Sequence, residues 1–269
     1  MKKFLFITTL TPTQFLSPLR SALFEIYLKA LNNQSYSHWE ALLIGETEKH
    51  HEKIKYIRTD AITKSEKLKI AYDYIINMPV KPDYIIRMDD DDLISPFALE
   101  QVVQTEFDSY SDLYHSFYDI TSGKISQQKR TWFPNTIIHK YHHAVAEFGE
   151  EGLPLFMHDH SKSWHIYYSG KKNLFAHKKH PLYLRIISPT NQSLKGMNGI
   201  ISYEQYIAKY GFWHYEKFDE YEQYVIELIN EAEKNLHNKI NRKLSFNNYL
   251  QQYITYSIYR YQRKFQFFS

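Results

Sequence analysis

The run Phe4-Leu5-Phe6-Ile7 is apolar at every position rather than at alternate ones, and this narrows the fold more than any other feature of the chain. A strand with one wet face alternates in polarity; one that is apolar on both faces is covered by helices on both sides, as in a parallel sheet. The sequence then supplies those helices. Ser17-Pro18 reads as an N-cap with proline at the first helical position, and Leu19, Leu23, Ile26, Tyr27, Ala30 and Leu31 follow at helical spacing. Residues 39–44 and 54–58 read as the second and third strands. Thr63-Lys64-Ser65-Glu66 is a capping box, opening a helix that carries Leu68, Ala71, Tyr74 and Ile75 on one face. Residues 83–88 form a fourth strand, and Ser95-Pro96 opens a helix through Val102, Val103 and Phe107. This alternation predicts an α/β chain with a mostly parallel, Rossmann-like sheet flanked by helices, in which sites form at the carboxyl ends of strands. Thr8-Thr9 and Asp89-Asp90-Asp91-Asp92 fall at two such ends.

Beyond residue 108 the pattern changes. Short strands are expected at residues 113–118 and 125–133 around a Ser122-Gly123 turn, and residues 139–180 are rich in His, Lys and aromatics with weak periodicity. From residue 202 helices dominate. Three units follow: 1–108, 109–201 and a helical, aromatic and basic extension over 202–269. From Tyr203 onward 18 of 67 residues are aromatic, and residues 238–269 hold six Lys or Arg with no Asp or Glu. In that tail Leu250, Tyr253, Ile254, Ser257, Ile258, Tyr261 and Phe265 share a helical face, with Arg260, Arg263 and Lys264 around it. Such a segment either packs back on the domain or rests on an anionic membrane surface. No nucleic-acid recognition module is visible, and the net charge is only +3.

Several chemistries are excluded at once. With no cysteine among 269 residues, disulfides, thiolate zinc sites and cysteine nucleophiles are absent. The apolar run at the start is too short for a signal peptide, and no run reaches the roughly 18–20 apolar residues of a membrane span. There is no G-x-x-x-x-G-K-[S/T] loop, no G-x-G-x-x-G loop and no helical zinc-hydrolase motif. Four contiguous Asp also lack the alternating ligands and central Gly of an EF-hand.

What remains is Arg87-Met88-Asp89-Asp90-Asp91-Asp92, followed by Ser95-Pro96. Converging carboxylates repel one another, so their ionisation in a site of low dielectric calls for a cation, and hard oxygen ligands suit Mg²⁺ or Mn²⁺. The plainer alternative is a solvated acidic turn that caps the next helix. The motif, with Pro96, Ala98 and Leu99 behind it, resembles the D-x-D-D motif of GT-A-fold glycosyltransferases of the family 2 type. The Gln34-Ser35-Tyr36 segment before Trp39-Glu40 resembles that family too, and the likeness covers residues 1 to about 108.

The resemblance implies a metal-dependent transferase that moves a sugar from a nucleotide-diphosphate donor to a glycan or lipid-linked acceptor. The inverting outcome follows the family 2 pattern, as does a setting in cell-surface polysaccharide or lipopolysaccharide synthesis. It places Asp89 near ribose and metal, and makes Asp91 the direct ligand of Mn²⁺ or Mg²⁺; Asp90, Thr8, Thr9, Lys67 and Arg87 become candidates for the nucleotide-sugar pocket. The family's acidic pair after the second strand is replaced by Leu43-Ile44-Gly45-Glu46, with Glu46 as the candidate substitute. A general base is sought among Glu147, Glu150, Glu151 and Asp159, with Asp159 preferred because an apolar segment there runs into polar groups and Trp164. His158-Asp159-His160 puts two imidazoles on one side of an expected strand, and His160 is a candidate metal ligand. The implied location is cytoplasmic or peripheral on the inner face of the membrane. A second reading is a non-catalytic carbohydrate-binding or scaffold protein that keeps the fold.

Overall fold

A computed structural model describes residues 1–47, 51–120 and 123–188, with Glu227 and Asn230 beyond them. Apart from Glu227 and Asn230, the extension expected over 202–269, including the tail expected either to pack on the domain or to rest on a membrane, lies outside the described residues. No helix among the described residues is long and apolar enough to cross a membrane.

The first strands are β1 (Phe4–Thr9), β2 (Trp39–Gly45), β3 (Ile54–Arg58) and β4 (Tyr84–Arg87). β1 lies between β2 and β4 and is parallel to both, with Phe4 opposite Trp39 and Tyr84; β3 extends the sheet beyond β2, also parallel. The all-apolar run is explained by its two destinations. Phe4 and Phe6 face a core completed by Leu23, Ile26, Tyr27, Ala30 and Leu31 of helix α1 (Pro18–Asn32). Leu5 and Ile7 face the other side, against Leu68, Ala71 and Ile75 of helix α2 (Lys64–Asn77). Each such side chain contributes about 1.5–3 kcal/mol when fully removed from water. Both helix starts are built as their sequences predict. Ser17 Oγ accepts the Arg20 amide, 3.2 Å, and Thr63 and Glu66 form a complete capping box.

The remaining strands are β5 (Leu93–Ile94), β6 (Ser109–Asp112), β7 (Tyr114–Asp119), β8 (Lys124–Lys129), β9 (Ile138–Lys140), β10 (Glu147–Phe148), β11 (Leu153–Pro154), β12 (Asn173–Ala176) and β13 (Tyr183–Ile187). The large sheet has seven strands in the order β12-β6-β9-β4-β1-β2-β3, parallel throughout except for β9. The expected architecture, a mostly parallel sheet flanked by helices, is therefore present. A second sheet, β5-β13-β7-β8, packs residues that follow the acidic run beside the end of the described chain. β10 and β11 form a small antiparallel pair.

Two local expectations change. The helix expected from Ser95-Pro96 to Phe107 is reduced to α3 (Ala98–Val102). Backbone groups at its start are bound elsewhere: the Ser95 carbonyl accepts Gln34 Nε2 at 2.8 Å, and the Pro96 carbonyl accepts the Ser35 amide at 2.9 Å. The segment around Asp159 is also not a strand. Asp159 accepts the Ser161 amide at 2.7 Å and caps a helical turn over His160–Trp164, which turns the two flanking imidazoles to different partners. His158 Nε2 meets the Leu153 carbonyl and His160 Nδ1 meets the Phe133 carbonyl.

Candidate functional site

The loop after β4 carries the four carboxylates to the carboxyl ends of β1 and β4, where a cleft of about 220 Å³ opens. Thr9, Leu10, Thr11 and Pro12 line it from the end of β1, Arg20 from α1, Ile62, Lys64 and Lys67 from α2 and its approach, and Arg185 from β13; Asp89, Asp90 and Asp91 complete it. Three carboxylates and four cationic side chains thus share one opening.

Each carboxylate has its own partners. Lys64 pairs with Asp89 Oδ1, and Asn135 Nδ2 donates to Asp89 Oδ2 at 3.1 Å. Asp90 Oδ2 accepts the Thr11 amide at 2.7 Å, and its other oxygen meets Thr11 Oγ1 and the Arg20 guanidinium. Arg20 forks between Asp90 and Asp91 while its Nε donates to Thr11 Oγ1, 2.9 Å. Asp92 is turned inward: Oδ2 accepts from Asn135 at 3.1 Å and Oδ1 from the Ile186 amide at 3.1 Å, so it fastens the acidic loop to β13. Asn135 is itself fixed by Tyr183, whose hydroxyl donates to Asn135 Oδ1 at 2.7 Å.

The electrostatics separate these groups. Burial opposes ionisation of Asp89, yet the Lys64 ammonium, with Arg87 and Arg185, holds it well below the usual carboxylate range. Asp91 is pushed up to about 6 by burial; Arg20 opposes the push, and Asp90 and Asp89 add to it. Asp92 is driven well above its ordinary value by burial and by Asp91 and Asp89. Burial thus disfavours charge on Asp91 and Asp92, and the carboxylate oxygens of Asp89 and Asp91 are hard donors of the kind a divalent cation takes.

The other expected site residues divide into those at the cleft and those away from it. Thr9 and Lys67 line it. Lys67 is buried, with Nζ donating to the Leu10 carbonyl at 2.7 Å, and burial lowers its pKa. Thr8 is fully buried beneath the cleft, its hydroxyl 2.5 Å from that of Tyr27. Glu46 is not among the lining residues; its carboxylate accepts the amide of Thr13, which follows the lining residue Pro12, at 3.1 Å and is held low by Thr13. Arg87 does not line the cleft. It is buried over the Trp164 ring at 4.6 Å, and its Nη1 donates to the Phe156 and His158 carbonyls at 2.6 and 2.9 Å. Asp159 and His160 are outside the cleft lining as well, and Asp89, Asp91 and His160 do not come together as a set of ligand atoms. His160 is pulled down to about 4, chiefly by burial. Glu147, Glu150 and Glu151 are exposed, on and beside the β10-β11 pair.

Arg20, Lys64, Asn135 and Arg185 are site residues that the sequence reading missed. Arg20 did leave a trace: a cation in the first turn of a helix opposes the helix dipole, and such a placement asks for a nearby anion. Asn135 and Arg185 left none, because they reach the acidic loop only through the second sheet.

By sequence the chain matches no protein-family model and no curated protein. Among solved structures it is similar to TarS 1-349 of S. aureus, at 10% identity over 94% of this chain and 78% of that one, with a TM-score of 0.43. It is also similar to 4-diphosphocytidyl-2C-methyl-D-erythritol synthase from Anaerococcus prevotii (11% identity, 71% and 92% coverage, TM-score 0.38). A third is the apo-form glycosyltransferase GlyE of Streptococcus pneumoniae TIGR4 (11% identity, 88% and 64% coverage, TM-score 0.36).

Proposed function

We propose that the cleft binds a nucleotide-diphosphate sugar and that the chain is a metal-dependent glycosyltransferase, inverting, acting on a glycan or lipid-linked acceptor in cell-surface polysaccharide or lipopolysaccharide synthesis. The observation that carries this reading is the pairing of an acidic floor, Asp89 to Asp91, with the cationic side chains of Arg20, Lys64, Lys67 and Arg185 around one opening at the carboxyl ends of β1 and β4. A diphosphate needs cations around its oxygens, and a divalent ion needs carboxylates; the cleft offers both in contact with each other.

In this reading Asp89 and Asp91 hold Mn²⁺ or Mg²⁺, which supplies charge stabilisation as the bond from sugar to phosphate breaks. Lys64, Lys67 and Arg185, which line the same cleft, would face the diphosphate oxygens. Arg20 bridges Asp90 and Asp91 before the donor arrives, so that the floor of the cleft is preorganised. Thr9, Thr11 and the Glu46 carboxylate border the nucleoside end. Arg87 acts at one remove, by fixing the 156–158 segment on the acceptor side. Asp159 directly follows that segment, and this placement makes it the candidate for the group that takes the acceptor proton. The implied location remains cytoplasmic or peripheral on the inner face of the membrane, with the tail beyond residue 202 as the membrane-contact candidate.

A thermal-shift panel of UDP-, GDP-, dTDP- and CDP-sugars with and without Mn²⁺ tests the reading. One nucleotide class should raise the melting temperature only when Mn²⁺ is present. Shifts given by free sugars or glycans alone, indifferent to metal and nucleotide, would instead support a carbohydrate-binding protein without turnover.

A further inference from the structure

A second group of ligand-type side chains stands at the opposite end of the large sheet. β6 and β4 are both antiparallel to β9 and so run the same way, and Asp108 immediately precedes β6. It therefore lies at the amino ends of the strands whose carboxyl ends carry the cleft. His142 and His143 come from α4 (Tyr141–Ala144), which follows β9 at that same end. One ligand atom from each of Asp108, His142 and His143 lies within 4.8 Å of the other two, the one such group among the described residues.

The surroundings are those of held ligands. His143 Nε2 faces Asp108 Oδ1 at 3.1 Å, while its Nδ1 is 3.0 Å from the hydroxyl of Tyr167, in α5 (His165–Tyr167). Asp108 Oδ2 accepts the Lys172 amide at 2.9 Å. Each of these two side chains thus has one atom toward the group and the other fixed by an outer partner, the arrangement that sets tautomer and orientation in metal sites. The backbone of Asp108 is pinned as well, its amide to the Lys172 carbonyl at 2.9 Å and its carbonyl to the Lys140 amide at 3.0 Å. His142 is exposed, with its ring centroid 4.0 Å from that of His143. A plain His143–Asp108 hydrogen bond accounts for two of the three residues and gives His142 no role.

We propose that Asp108, His142 and His143 form a transition-metal site of the Zn²⁺ class, which clips α4 to the amino end of β6, with water in the remaining position. Two imidazoles and one carboxylate favour Zn²⁺ or Co²⁺ over Mg²⁺, whose preference is for oxygen ligands in octahedral array. The site is separate from the donor cleft, and its ion has no part in the reaction proposed above.

Calorimetric titration of the full chain with Zn²⁺, paired with visible absorption of the Co²⁺ form, tests this. One ion should bind per chain. His142→Ala and His143→Ala should each weaken binding by about 100-fold, Tyr167→Phe by about 10-fold through the lost outer partner, and Asp91→Asn not at all. His142 is exposed, so its variant is expected to melt like the wild-type chain in metal-free buffer. His177→Ala serves as control, because His177 and His180 form another ring pair, 5.9 Å apart. Unchanged Zn²⁺ affinity in His142→Ala, or its loss in His177→Ala, would overturn the proposal.

Discussion

Residues 4–94 and residues 109–188 contribute to the same sheets by different means. In the first stretch, β1, β2 and β4, of six, seven and four residues, are buried on both faces and helices of 15 and 14 residues carry their own caps, so each of these elements is specified by its own sequence. In the second, strands run from two to six residues, and the backbone is held by side chains distant in sequence. Arg87 binds the carbonyls of Phe156 and His158, Trp164 donates Nε1 to the Leu155 carbonyl, and Asp112 accepts the amides of Leu182 and Tyr183. The difference teaches that the first region is a scaffold in its own right, whereas the second is shaped by polar and aromatic contacts that converge on it.

If so, the second region fails at its anchors. Trp164 is fully buried, its ring 4.6 Å from both the Arg87 guanidinium and the edge-on His139 ring. Trp164→Ala should cost about 3–5 kcal/mol in urea unfolding, since it opens a cavity and leaves Arg87 without its platform. A cost under 1 kcal/mol would show that the region holds without that anchor. The first region is sensitive instead where two elements close on each other. A Cβ at Gly45, the last residue of β2, would stand 2.7 Å from Leu10 Cβ. Gly45→Ala should therefore cost about 1–3 kcal/mol, and because Leu10 lines the cleft it should weaken nucleotide binding too.

A smaller effect sharpens the comparison through pH. His139 is fully buried, with Nδ1 2.8 Å from the Tyr168 hydroxyl, and burial, then Arg87 and His143, push its pKa well below the ordinary value. A histidine depressed in the folded state contributes stability that is present above the unfolded pKa, about 6.5, and lost as pH falls below it. The destabilisation caused by His139→Gln should therefore be about 1.4 kcal/mol smaller at pH 5.5 than at pH 7.5. A penalty that does not change with pH would mean that His139 takes up its proton in the folded chain.

The same contrast explains what the sequence made legible. β1 to β4, α1, α2 and the Thr63 capping box were readable because continuous apolar runs, helical spacing and caps are local signals. The acidic run was readable as chemistry because it follows a buried strand. Arg20 was half-legible, as a cation misplaced against a helix dipole. Asn135 and Arg185 were not, since nothing near them in sequence signals the acidic loop, and the position of Arg87 under the 156–158 carbonyls depends on residues some 70 places away. The strand expected around Asp159 is replaced by a helical turn because the Asp159 cap on Ser161 competes with strand formation in a way that periodicity does not register.

The central claim is that Asp91, between Arg20 and the cleft, is a ligand of the ion that a nucleotide diphosphate requires. Calorimetric titration of the nucleoside diphosphate selected by the thermal-shift panel, into wild-type and Asp91→Asn chains with and without Mn²⁺, tests it most directly. The account predicts Mn²⁺-dependent binding to the wild-type chain and at least a tenfold loss of that metal-dependent gain in Asp91→Asn, with the melting temperature of the free protein little changed. Equal Mn²⁺-dependent binding by both chains would contradict it.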